Sequence, residues 1–235
     1  MRSSSIPRPV IDGAPKPRVR QRAVQKRALD TRRKIIEAAT VEFARNGFEG
    51  ASTRNIALEA GIQHTLVTYH FASKEGLWQE TISTMLSEYR DSFWKRLDGL
   101  RGVDDVTTLR LNCEDFIRFS AQNVDFHKIM AHAASSPSPQ LDWLIDEYLK
   151  DIFVAREKLI RSAQKSGHFV QGNPRHLEYV MIGAVTRVFL LTAEVESMMG
   201  YPPTDPRFVE EHIRICMSLF FRDPPVKRRV RKSQT

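Results

Sequence analysis

Residues 63–70 read QHTLVTYH. Gln63, His64, Thr65, Thr68 and Tyr69 offer hydrogen-bond donors and acceptors on short, uncharged side chains. A helix that enters the major groove needs such groups to meet base edges and phosphate oxygens. On this reading Gln63, His64, Thr65 and Thr68 face bases. Arg54, Tyr69, His70 and Lys74 mainly hold phosphates, and Thr53 joins the same DNA-binding set. Catalytic chemistry has no comparable support. The chain shows no nucleophile elbow, zinc-binding motif or phosphate loop, so no cofactor and no metal are expected. His127 and His132 stand five apart, off any common helical face, and read as surface or cap residues.

Those polar groups need a scaffold of short helices. TRNIALEA at 53–60 reads as one helix with Ser52 as its N-cap, and HTLVTYHF at 64–71 as a second. Gly61 lies between them, where a tight turn requires positive φ. Ala57 leaves room for a close crossing, and Ile56, Ile62 and Val67 form the apolar wedge that sets its angle. Upstream, Ile35, Ile36, Ala39 and Phe43 share a stripe over 29–47, with Asp30 as N-cap and Gly47 as the residue past the end. Downstream, Trp78, Ile82, Met85, Tyr89, Phe93 and Leu97 mark one long amphipathic helix begun by Ser73. Helices are expected at 104–123, 124–134 and 140–166, and two more start at Asn173-Pro174 and Asp205-Pro206, an N-cap followed by proline. The first of these last two is expected to end at Gly200, the second near Arg222. The expected fold is all-α, with about nine helices and no sheet.

Charge is unevenly spread along a chain of net +8. Residues 1–34 hold 11 Lys/Arg against 2 Asp/Glu, and residues 222–235 hold 6 against 1. The 187 residues between them are net −6. The basic ends lack apolar periodicity and read as disordered. They would attract phosphates without regard to sequence, or serve only to solubilise. Cys113 and Cys216 read as reduced, buried thiols rather than a disulfide framework. No secretory signal is visible, and the most apolar stretch, at 180–193, is too short to span a bilayer and contains Arg187. A cytoplasmic protein with no membrane partner is expected.

TRNIALEAGI…YHFASKEGLW closely resembles the signature of the tetracycline-repressor (TetR) family of bacterial transcription regulators. Tyr69, His70, Phe71, Ser73, Lys74, Glu75 and Leu77 carry the resemblance. Ile35-Ile36, Ala38-Ala39 and Phe43 to Gly47-Phe48 resemble that family's first helix. It covers residues 30–78, about a fifth of the chain. Gln63, Thr65 and Thr68 depart from residues common in the family, so base preferences do not carry over. The resemblance implies a homodimer on a palindromic operator of double-stranded DNA, released by a small-molecule effector.

The domains implied are a basic tail at 1–28, a helix-turn-helix domain at 29–76, a helical ligand-binding and dimerisation domain at 77–222, and a basic tail at 223–235. Phe116, Phe119, Phe126, Met130, Trp143, Tyr148, Phe153, Tyr179, Met181 and Phe189 are candidates to line a cavity for an apolar or aromatic effector, core packing being the simpler role for any one of them. Gly183, Ala184, Val188, Leu191, Phe208, Ile213, Cys216 and Phe220 are candidates for the dimer interface. The function expected is sequence-specific transcriptional regulation, as a repressor. The alternatives are a sequence-independent architectural DNA-binding protein and a small-molecule enzyme.

Overall fold

A computed structural model describes residues 17–222, with side chains from 21 onward. The described residues form eleven α-helical stretches and one π-helical segment, with no strand beyond an isolated bridge between Phe169 and Phe221. α1 runs Pro17–Gly50, α2 Thr53–Glu59, α3 His64–Phe71 and α4 Lys74–Gly99. Serine caps α2 and α4: Ser52 Oγ accepts from Asn55 N at 3.4 Å, and Ser73 Oγ from Gly76 N at 3.0 Å. Gly47 and Gly61 both have φ of +65°. At Gly47 a Cβ would also lie 3.2 Å from the His132 ring, so glycine serves both conformation and packing.

α5 spans Asp105–Gln122, α6 Val124–Ala133, α7 Pro139–Leu144 and α8 Lys150–Lys165. Ile145–Leu149, between α7 and α8, is π-helical, where an uninterrupted α-helix is expected. α9 is Pro174–Leu190, α10 Thr192–Met199 and α11 Pro206–Phe220. α9 and α10 are expected as one helix but part at Leu191. There Thr192 Oγ1 donates to Phe189 O at 2.7 Å, a side-chain bond that competes with the helical ladder. Asn173 and Asp205 cap α9 and α11 as expected.

Two other expectations fail. Residues 17–28 are helical, not disordered, and Asp30 lies inside α1 rather than at its start. Residues 21–30 are all exposed, so no packing holds them. They extend a helix already nucleated over 31–46, and adding a residue to an existing helix costs little when it is Ala, Arg, Gln, Lys or Leu. The rest of the expected tails, 1–16 and 223–235, lies outside the described residues.

Two apolar cores form. The first joins Ile35, Ala39, Phe43, Ile56, Val67, Phe71, Leu77 and Trp78 to Phe126 and Ile129 of α6 and Leu144 of α7. The second is built by α5, α8, α9 and α11 around Leu109, Ile117, Ile160, Met181, Val185, Phe189 and Cys216. The first core therefore runs across the boundary expected at 76, because α1 lays its apolar stripe on α6. Cys113 and Cys216 are free thiols and buried.

Candidate nucleic-acid interface

α3 is divided by its own periodicity. Val67 and Phe71 are buried at 3% and 7% exposure, and they seat the helix on Ile56 and Ala57 of α2. The other side is open: Gln63, His64, Thr65, Leu66, Thr68 and Tyr69 are all exposed, Tyr69 at 80%. With Val67 and Phe71 buried, Thr65 and Tyr69 point away from the protein, and His64 and Thr68 lie at the flank of the buried face, exposed at its edge.

Several contacts fix this helix. Ile62 N donates to Ala57 O at 3.0 Å and closes the turn. The Thr53 hydroxyl and His64 Nε2 are 2.9 Å apart, tying the start of α2 to the start of α3. The far end is clamped by Arg32. Its Nη1 donates to His70 O at 3.1 Å, its Nη2 pairs with Glu80 at 2.8 Å, and its guanidinium lies 4.5 Å above the Phe71 ring. Buried Glu42 accepts from Ser52 N at 2.9 Å and from Asn55 Nδ2 at 3.4 Å, which orients α2. Sequence reading passed over Arg32 and Glu42. The signal available was their charge on the helix that carries the buried stripe of Ile35, Ala39 and Phe43.

Between α2, α3 and the start of α4 lies an open cleft of about 440 Å³ lined by Thr53, Arg54, His64, Thr68, Ser73 and Lys74, among others. The structure thus brings together Thr53, Arg54, His64, Thr68 and Lys74. Gln63, Thr65 and Tyr69 lie on the adjoining outer face of α3. His70 is half-buried, its ring edge-on to Tyr69 with centroids 5.2 Å apart. Lys74 also serves the protein itself. Its Nζ donates to Glu49 O at 3.0 Å and lies 4.8 Å from the centre of the Phe48 ring. The ammonium thereby caps the end of α1, because α4 starts beside it.

The candidate effector-lining residues do not converge. Phe126 lies in the first core, with Phe119, Met130, Trp143 and Tyr148 packed against it. Met181 and Phe189 lie in the second core, with Phe116 packed against it. Phe153 and Tyr179 form a surface pair, centroids 5.6 Å apart, with Tyr179 68% exposed. His127 is buried, not a surface residue. Its ring is packed by Phe116, Phe119 and Phe126, and burial pushes its pKa down to about 4.

The interface candidates also divide. Ile213, Cys216 and Phe220 face their own chain, at 6%, 1% and 6% exposure, which corrects their assignment. The amphipathic α11 buries that stripe against α5 and α9 and leaves Ile215 and Leu219 outside, with Phe208 half-exposed. Ala184 and Val188 pack partly on the second core, and Leu191 is half-buried. Gly183 is exposed, with nothing within 4 Å of where its Cβ would stand, and Val180 is exposed beside it.

The sequence profile described as bacterial regulatory proteins, tetR family, matches residues 35–81. The chain is 24% identical over 192 residues to the HTH-type transcriptional regulator RutR of Escherichia coli O157:H7, covering 80% of this chain and 87% of that one. It is 42% identical over 81 residues to the HTH-type transcriptional regulatory protein RaaS of Mycobacterium tuberculosis, covering 34% of this chain and 36% of the other. The crystal structure of HlyIIR, a hemolysin II transcriptional regulator, superposes with a TM-score of 0.64 at 18% identity over 83% of this chain and 99% of that chain. That likeness concerns the fold. Among the described residues no helix is long and apolar enough to cross a membrane.

Proposed function

Because the chain belongs to the TetR family of DNA-binding transcriptional regulators, we propose that it is a homodimeric repressor which reads a palindromic operator through α3 and is released by a small molecule. The observation that carries the specific part of this reading is the open face of α3. Gln63, His64, Thr65 and Thr68 are exposed and uncharged on a helix seated by Val67 and Phe71, as base readout requires. Arg54, Tyr69 and His70 flank them and would hold phosphates, with Thr53 braced against His64. Lys74 bonds Glu49 O through one of its three N–H groups and would hold a phosphate with the others.

The partner for the second half-site would be another copy of the chain. Val180 and Gly183 of α9, with Phe208, Ile215 and Leu219 of α11, form an exposed, largely apolar face on two helices that pack together. A two-fold pair of such faces makes a four-helix contact. The effector would act in the larger helical region, and its effect would reach α3 through α6, which packs on α1, as well as through α4.

Selection of bound duplexes from a randomised DNA pool tests this reading. The expected product is an inverted repeat. Thr65→Ala and Gln63→Ala should each relax preference at one base position per half-site by about 1–3 kcal/mol. A selected pool without a consensus would leave the sequence-independent architectural role as the better reading.

A further inference from the structure

α1 extends well beyond the core it seats. Its first buried residue is Ile35, and residues 21–30 are exposed without exception. Even Val24 and Leu29 in that stretch are 60% and 64% exposed. Packing within the chain therefore gives this extension no role. Its charge points outward to a partner. Residues 21–34 carry six Lys and Arg against one Asp. Among the described residues only two of the six are paired, Arg32 with Glu80 and Arg33 with Glu37. Arg22, Lys26, Arg27 and Lys34 make no ion pair there, although Asp30 stands one turn after Lys26. Like charges one turn apart, such as Arg22 and Lys26, oppose a helix in water, and a polyanion alongside removes that opposition.

The spacing gathers these charges. Arg22, Lys26 and Arg33 recur at i, i+4 and i+11, so they share one side of the helix. That side points away from the stripe of Ile35 and Ala39 that seats α1. Arg27 and Lys34, seven apart, share an adjoining side.

Position identifies the partner. Arg32 Nη1 donates to His70 O in the last turn of α3 at 3.1 Å, and its guanidinium covers the Phe71 ring. α1 thus passes the end of α3 at residue 32, and the extension springs from there. At 1.5 Å per residue, residues 17–31 reach about 22 Å further. Duplex DNA carries about one negative charge per 1.7 Å of its axis. Once α3 is seated in a groove, contact by the extension is intramolecular, so individually weak phosphate contacts suffice.

We propose that residues 17–31 form a helical arm that lies along the phosphate backbone beside each half-site, with Arg22, Lys26 and Arg27 as its contacts and no base read. This rests on the DNA-binding reading above and adds a second contact surface to it.

The test measures binding of the full chain to its selected operator and to a scrambled duplex of equal length, between about 50 and 200 mM salt. In the Arg22→Gln/Lys26→Gln/Arg27→Gln variant, the slope of log affinity against log salt should flatten by about 0.9 for each phosphate lost, roughly 3 per arm. Both duplexes should weaken by the same factor, at least about tenfold at the lower salt. Ala28→Pro keeps every charge but breaks the helix just before the packed part of α1. Residue 28 is exposed, so the core is untouched. This variant should show at least half of the same flattening, because the arm no longer holds its line. An unchanged slope in the triple variant would overturn the proposal. So would a proline variant that binds like the wild type while the triple variant does not, since the charges would then act as a loose tail. An altered order of operator preference in the triple variant would put the arm at the bases and overturn the phosphate assignment. A wild type that prefers neither duplex rejects the sequence-specific reading instead, and the slopes on the scrambled duplex still decide the arm.

Discussion

At the residue scale, the clearest electrostatic consequence concerns His127. Its folded pKa lies near 4, below the ordinary 6.5, because burial among Phe116, Phe119 and Phe126 disfavours the imidazolium. The unfolded chain takes up the proton first as pH falls. Stability tied to this side chain is therefore complete above pH 6.5 and drains away between 6.5 and 4. The loss is up to about 3 kcal/mol. Urea unfolding of wild type and His127→Leu at a series of pH values should show a steeper acid loss in the wild type. Parallel curves would mean that His127 takes up its proton freely in the fold. Lys74 gives a different lesson at this scale: one N–H of its ammonium serves the end of α1, and the fixed position this gives the charge sets where a phosphate would meet it.

At the element scale, α3 is a two-turn helix that could not persist alone. Its stability is lent by neighbours, and Arg32 touches the carbonyl of His70, the buried Phe71 and Glu80 of α4 together. Arg32 and Glu80 are each about a third exposed or more, so the pair itself contributes little. Orientation is the larger effect. Arg32→Met should lower unfolding stability by about 1 kcal/mol, the net worth of a charged hydrogen bond partly open to water. It should weaken all operators by a similar factor without changing their order. A changed order of operator preference would place Arg32 at the bases instead. α6 is the other decisive element, since it completes the first core and also carries His127 towards Phe116.

At the scale of the whole molecule, the surface of α9 and α11 decides assembly. Ile215 and Leu219 are 43% and 53% exposed in the single chain, so a charge there costs the monomer little. Ile215→Asp and Leu219→Asp should each yield a folded monomer by light scattering. Operator affinity should fall more than tenfold as one half-site is lost, and the selected repeat should have half-sites about 34–36 Å apart. A dimer that survives both substitutions would move the interface to another face.

The sequence by itself determined most of the helix starts and the helix-turn-helix, but not the start of α1, the π-helical segment or the break between α9 and α10. Ser52, Gly61, Ser73, Asn173-Pro174 and Asp205-Pro206 act on their own next few residues, so their meaning is complete in a short window. The outward direction of Thr65 and Tyr69 was legible for the same reason, because burying Val67 and Phe71 fixes the side opposite them, whereas the exposure of His64 and Thr68 at the flank depends on how α3 sits on α2. Only the tertiary structure decided which stripe of α11 is core and which is surface. Cys216 and Ile215 are adjacent and both apolar, and the direction of α5 and α9 chooses between them. The same holds for Arg156. It sits on the apolar stripe of α8 with Ile152, Leu159 and Ile160, and nothing within that helix reveals the carboxylate 22 residues later that makes its burial possible. Contacts that join distant segments depend on how whole helices pack, and pairing of a buried charge is one such contact.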